Sequence, residues 1–330
     1  NFTLQNCDFL LVLGARLDMA LTAYSHERFA REACKVMVEV DPAEIRKMRV
    51  PIDLPVCADA GAFLREMDRQ TAGLAAKDYA SWMTRCRDWK RRYPFELPAE
   101  LRMPGGISTY DFASVMSEEL GNGDVVLPGS SGFAAEIFLS AFRSKAGQRI
   151  FHNKGTGAMG FGQPAAIGAC LAAGGRRTVC VDGDGGFLMN VQELETIRRL
   201  GLPIKLFVVD NAGYGSIRAS QGAYFGRLTG ADASSGLTLP DLVKVAQAFG
   251  LPGRRVSEPG ELRGTVRSVL ASPGPEVCVV VVPPEEPRAP RVASAQRPDG
   301  SMVSKPLEDM WPFLPRDEFL ANMIVKSVED

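Results

Sequence analysis

The chain has 330 residues, 45% of them apolar and 23% charged, with a formal net charge of −1. Such proportions describe a globular protein long enough for two domains with separate cores. They give no argument for nucleic acid or an anionic membrane as partner, since both need a concentrated basic surface, and no apolar run reaches the ~20 residues that cross a bilayer.

Asp8–Leu13 reads as a buried strand running into Gly14-Ala15-Arg16, and a second strand, Lys35–Val40, ends at Asp41-Pro42. A short helix over Pro42–Lys47, a strand at Val56–Asp59 and an amphipathic helix over Ala60–Arg69 follow. Apolar strands alternating with helices predict a parallel sheet covered on both faces. Residues 72–106 hold Trp82, Trp89 and prolines 94, 98 and 104, and read as a helix followed by a connection. Within that helix Lys90-Arg91-Arg92 reads as a solvated face. A second domain opens with a helix over Ser108–Glu119, capped by Ser108 or Thr109. Its predicted strands are Asp124–Leu127, Thr178–Val181, Ile204–Val209 and Val277–Val282, with helices near Pro164–Ala173, Val191–Leu200, Leu239–Phe249 and Gly260–Ala271. The expected fold class is therefore α/β with two doubly wound parallel-sheet domains. The expected boundaries are a first domain over 1–75, a linker over 76–106, a second domain over 107–285 and a proline-rich tail over 286–330.

Seven scattered cysteines without a CxxC pair, and only two histidines, predict reduced core thiols in a cytoplasmic protein and no His-rich metal site. Because a core strand begins almost at once after Asn1-Phe2-Thr3, a preceding segment is expected upstream.

Chemistry concentrates in Val179-Cys180-Val181-Asp182-Gly183-Asp184-Gly185-Gly186. Here a buried strand ends in a glycine-rich turn, with a helix expected from about Leu188, and ligands of open α/β sheets bind beyond such strand ends. The glycines let backbone approach a phosphate and helix-start N–H groups face it. Asp184 would repel a bare phosphate, so its presence there implies an intervening divalent cation. Magnesium suits, since it takes one or two protein oxygens and completes its shell with phosphate and water. A second oxygen is expected from the next strand end, Asp210-Asn211-Ala212-Gly213-Tyr214-Gly215, where Asn211 stands 27 positions after Asp184.

This GDG…(D/N)N pair resembles the thiamine-diphosphate (ThDP) binding motif of the family containing acetolactate synthases, pyruvate decarboxylases and benzaldehyde lyase. The resemblance covers about residues 8–70 and 107–285, a middle domain that is only partial and a diphosphate-binding domain. It implies that Asp184 and Asn211 bind Mg2+ through side-chain oxygens and Gly213 through its carbonyl. Gly183, Gly185, Gly186 and Gly215 fall to the cofactor-binding turns, with the Gly185 and Gly186 N–H groups on the diphosphate. Asp210 stands where the family often has Asn, at a position that is not the usual ligand. Asn153-Lys154-Gly155-Thr156-Gly157-Ala158-Met159-Gly160-Phe161-Gly162 resembles the family's aminopyrimidine grip, implying a Met159 wedge that bends the cofactor and a Gly157 carbonyl that accepts from its 4′-amino group; a core Met in a glycine turn is the alternative. Pro128-Gly129-Ser130-Ser131-Gly132 resembles a further diphosphate contact through Ser130, with a helix cap as the alternative.

In the first domain Leu13-Gly14-Ala15-Arg16 resembles the element whose arginine contacts FAD in flavin-containing relatives. Asp18-Met19-Ala20 replaces the second arginine of that element, so a structural role for Arg16 stands beside FAD. The element is not a GxGxxG fingerprint, which disfavours a nicotinamide oxidoreductase. Pro298-Asp299-Gly300 and Pro306–Met310 in the tail resemble a subgroup of acetolactate-synthase-like proteins.

The resemblance implies an enzyme that decarboxylates a 2-oxo acid, pyruvate first among candidates, and transfers the acyl unit to a carbonyl acceptor. Simple decarboxylation, aldehyde carboligation or lysis, and a non-catalytic ThDP-binding subunit are the alternatives. It also implies a homodimer or homotetramer whose active site is shared with an N-terminal pyrimidine-binding domain carrying the catalytic glutamate. That domain is absent from these residues, and the role falls to none of them; Glu193 and Glu195 read as packing and solvation. His152 is read as structural with proton donation to substrate as the alternative, and Ser216 and Ile217 as shaping the substrate pocket.

Overall fold

The computed structural model describes residues 1–22, 25–153, 155–296 and 302–328; Lys154 and Pro298-Asp299-Gly300 lie outside the described residues. Two compact units divide the chain: Asn1–Pro94 together with the segment from Ala289 onward, and Phe95–Arg288. Among the described residues, no helix is long and apolar enough to cross a membrane.

The first unit holds a three-stranded parallel sheet of β1 (Phe9–Leu13), β2 (Cys34–Glu39) and β3 (Leu54–Cys57), in the order β1-β2-β3. Val12 and Met37 lie in its core with Phe29, Ala33 and Val50. Helices leave β2 and β3 through aspartate caps: Asp41 Oδ1 accepts from the Ala43 N–H at 2.7 Å, and Asp59 Oδ1 from the Ala62 N–H at 2.8 Å. β3 begins two residues before its predicted start, because Leu54 and Pro55 pair with Val36 and Met37 although they carry no alternation signal. The expected helix in 72–106 is Ala80–Arg92, and its basic end is exposed, with Arg91 on Asp88 and Arg92 on Glu318. Beyond Ala289 the chain forms an antiparallel hairpin, Ser294–Gln296 against Met302–Ser304, and a helix, Arg316–Asn322. Asn322 ties that helix to the rest of the unit, accepting from Trp89 Nε1 at 2.8 Å and donating to the Tyr93 hydroxyl at 2.7 Å.

The second unit is a six-stranded, all-parallel sheet. Its strands are β4 (Val125–Pro128), β5 (Arg149–Ile150), β6 (Thr178–Gly183), β7 (Ile204–Asp210), β8 (Gly253–Val256) and β9 (Glu276–Val281), in the order β5-β4-β6-β7-β9-β8. Period-2 alternation sends successive side chains to opposite faces. In β7, Leu206 and Val208 join Phe187, Leu194 and Ile197, while Phe207 meets Phe112 with ring centroids 5.6 Å apart. Both faces are thus apolar, as expected for a doubly wound sheet. β8 escaped the sequence reading because it is an edge strand with one buried residue, Val256, and two arginines.

The helix Thr109–Glu119 starts where predicted but is not capped by Ser108 or Thr109, neither of which makes a side-chain cap. Buried Glu286 supplies the cap, its two oxygens accepting from the Thr109 N–H at 3.1 and 2.9 Å. The strand order reverses between β4 and β6: the chain passes outward from β4 to β5 and then continues on the other side. Such a switch point opens a crevice beyond the carboxyl ends of its strands.

Candidate functional site

Three turns meet in that crevice: the one after β4, the one after β6 and the one after β7. They line a cavity with Ser130 and Gly132 from the first, Gly183 to Gly186 from the second and Asn211 to Ser216 in part from the third, while Met159 and Ile217 close the sides. Every residue assigned from the sequence to the metal, the diphosphate or the substrate pocket lines it, while Gly157 of the aminopyrimidine segment, exposed at φ +57°, does not. His152, just past β5, is not among the lining residues. Sequence reasoning missed Phe133 and Tyr214 as walls. No local pattern marked Tyr214, whose ring sits where a Cβ on Gly185 would stand.

The turn after β6 is tighter than predicted, with the helix beginning at Asp184 rather than Leu188. Asp184 is 2% exposed. Its Oδ2 accepts from the Gly213 N–H at 2.8 Å, and its Oδ1 from the Gly185 N–H at 2.7 Å. The Gly185 N–H expected on a diphosphate therefore serves Asp184 here. Burial pushes the Asp184 carboxyl up to about 7, outweighing the two N–H groups that stabilise its charge.

In the turn after β7, Ala212 adopts φ +59° and Gly213 φ +136°, a strained pair of the kind found at ligand sites. A side chain at 213 would collide with the Ala231 carbonyl, so only glycine brings this backbone alongside Asp184. Asn211, 4% exposed, completes the arrangement. The amide atom facing inward lies 3.3 Å from Asp184 Oδ2 and 2.8 Å from the Gly213 carbonyl oxygen. As nitrogen it donates to both. Rotated by 180° it is an oxygen close to two others, an arrangement a cation stabilises. Octahedral Mg2+ with bonds of ~2.1 Å sets neighbouring ligand oxygens about 3 Å apart, close to both spacings. Among the described residues no cluster of three His, Cys, Asp or Glu could hold a metal. Ser130 Oγ, buried on the cavity wall, has no hydrogen-bond partner and is available to a ligand acceptor.

Residues 129–280 match the family model described as thiamine pyrophosphate enzyme, C-terminal TPP binding domain, and residues 1–67 match the thiamine pyrophosphate enzyme central domain. The chain belongs to the thiamine pyrophosphate enzymes. As a member of that family it is 33% identical over 304 residues to acetolactate synthase 1, chloroplastic, of Zea mays, covering 89% of this chain and 46% of that one. It is 32% identical over 299 residues to the acetolactate synthase large subunit of Cyanidium caldarium, covering 89% and 49%. The chain spans about half the length of the curated relatives it matches. Its fold is shared with the Rhodococcus jostii RHA1 thiamine diphosphate-dependent 4-hydroxybenzoylformate decarboxylase, at TM-score 0.65 and 21% identity over 84% of this chain and 50% of that one. In the central domain of this family member, exposed Arg16 pairs with Glu44 at 3.1 Å.

Proposed function

We propose that this chain holds ThDP through Mg2+ in an enzyme that decarboxylates a 2-oxo acid, pyruvate foremost, and passes the acyl unit to a carbonyl acceptor. The inward-facing triad of Asp184, Asn211 and Gly213 is the observation that carries the reading. When bound, the cofactor supplies the nucleophilic carbon and electron sink that cleavage beside a carbonyl requires. The chain's residues do the holding. Asp184, Asn211 and Gly213 present oxygens to the cation, which neutralises the diphosphate charge. Ser130 offers its unpartnered hydroxyl to a phosphate oxygen, and Gly183, Gly186 and Gly215 keep the floor free of side chains. Met159, 39% exposed on the cavity wall, would give the cofactor apolar support, and the Gly157 carbonyl, outside the cavity lining, would be the acceptor for its amino group. Ser216 and Ile217 face the same cavity from the start of the helix Gly215–Phe225 and meet the substrate's side chain. A carboxyl that orients the pyrimidine is assigned to no residue of this chain; in this reading a pyrimidine-binding domain of a homodimer or homotetramer provides it.

Calorimetric titration of the full chain with ThDP, with and without Mg2+, tests the reading. Binding is expected only with the metal, and chelation should abolish it. Asp184→Ala should weaken ThDP binding by at least about a hundredfold, since loss of even an outer partner of a metal ligand costs 10–100-fold. Native affinity in that variant, or no binding by the native chain, would overturn it.

A further inference from the structure

Asp182 stands one turn beneath the cavity and takes no part in the function proposed above. It is the fifth residue of β6 and only 2% exposed. Its Oδ1 accepts from the Gly183 N–H at 2.8 Å, while Oδ2 is buried without a hydrogen-bond partner. Burial pushes the carboxyl up to about 6, against the pull of the Gly183 N–H and the Ser131 and Gly162 groups around it. A carboxyl in such a place costs stability relative to an apolar side chain, so its shape and position call for a reason.

The glycines around it supply one. An added Cβ on Gly162 would lie 2.5 Å from Asp182 Oδ2, and one on Gly186 would lie 2.6 Å from Oδ1. A Cβ on Gly129 would strike the same carboxyl. No real Cβ tolerates such distances, so the three segments touch the carboxyl with bare backbone. Each belongs to a different cofactor-holding turn. Gly129 precedes Ser130, Gly162 ends the segment carrying Gly157 and Met159, and Gly186 follows Asp184.

We infer that Asp182 is a positioning residue, a single buried side chain against which the turns for diphosphate, metal and aminopyrimidine are all seated, so that its shape sets their spacing for ThDP. The inference rests on the ThDP reading of this site. It works through volume: a smaller side chain leaves a gap beneath all three turns, and each can settle by a few tenths of an ångström. Sites that hold a ligand by several converging groups lose affinity steeply for displacements of that size.

The test uses the full native chain and three variants, reading the dissociation constant for ThDP at saturating Mg2+ by calorimetry and the melting temperature without cofactor. Asp182→Ala is expected to bind ThDP at least about tenfold more weakly. Asp182→Asn keeps the volume and the Gly183 acceptor; it should bind within about threefold of the native chain. A purely structural residue would lower the melting temperature of Asp182→Ala and leave the affinity of the folded protein unchanged, and that result overturns the inference. So does an Asp182→Asn variant as weak as Asp182→Ala. Should Asp182→Ala fail to fold, Gly162→Ala decides, because its methyl displaces the carboxyl from one side; affinity equal to native overturns the proposal and tenfold weakening supports it. Failure of the native chain itself to bind ThDP removes the functional reading first, and this inference with it.

Discussion

Burial separates five of the seven cysteines into two chemical classes, with Cys7 and Cys86 half-buried between them. Cys34 and Cys57 are exposed, whereas Cys170, Cys180 and Cys278 are buried, with the Cys278 thiol pushed up to about 12 and Cys180 also well above its ordinary value by burial. A thiol attacks only as thiolate. Native protein at pH 8 should therefore release colour from a disulfide reagent first at Cys34 and Cys57, and peptide mapping should find the three buried thiols modified only after denaturation. Rapid labelling of Cys278 in the native state would contradict the packing of β9. The same scale explains why Asn211 could be read from the sequence while Tyr214 could not. An amide at a strand end, 27 positions after a carboxylate in a glycine turn, advertises a ligand set. The Tyr214 ring acquires its place only because a glycine opposite leaves room for it.

Among elements, central strands were legible and edges were not. β6, β7 and β9 are runs of apolar residues bounded by turns, and their bounds fall within two residues of the expected ones. β8 reads Gly253-Arg254-Arg255-Val256 and is a strand only because β9 lies beside it. Helix starts show the same division. Asp41 and Asp59 cap their helices from the adjacent position, whereas the cap of Thr109–Glu119 arrives from Glu286, which no local pattern could announce. Removing that cap as Glu286→Ala should cost about 1 kcal/mol, in the usual range for a lost helix cap of 0.5–2 kcal/mol. The reading is a lower urea midpoint at unchanged slope. An unaltered midpoint would mean that relief of carboxyl burial, which raises the Glu286 pKa, cancels the cap.

For the molecule as a whole, the site belongs to the unit Phe95–Arg288, and the fold of that unit places three strand ends around it. A ligand that binds only folded protein stabilises it by mass action. ThDP with Mg2+ at a hundred times its dissociation constant should add about 2.7 kcal/mol, which for a domain of this size raises the melting temperature by roughly 5–10 °C. Hydrogen exchange should slow most at 183–186 and 211–215. ThDP without Mg2+ should shift neither; an equal shift without the metal would place the diphosphate somewhere other than beside Asp184.

The Glu286 cap also sets a timetable. Thr109 and Glu286 are 177 positions apart, and the Ile107 N–H just before the helix donates to the Val281 carbonyl at 2.8 Å. At 5–20 residues per second, a ribosome needs about 9–35 s to make the intervening chain. Through that interval the first helix of the second unit has emerged with its leading N–H uncapped. Phe112 meets Phe138 and Phe207 as those segments emerge, whereas the start of the helix stays open until β9 and Glu286 arrive.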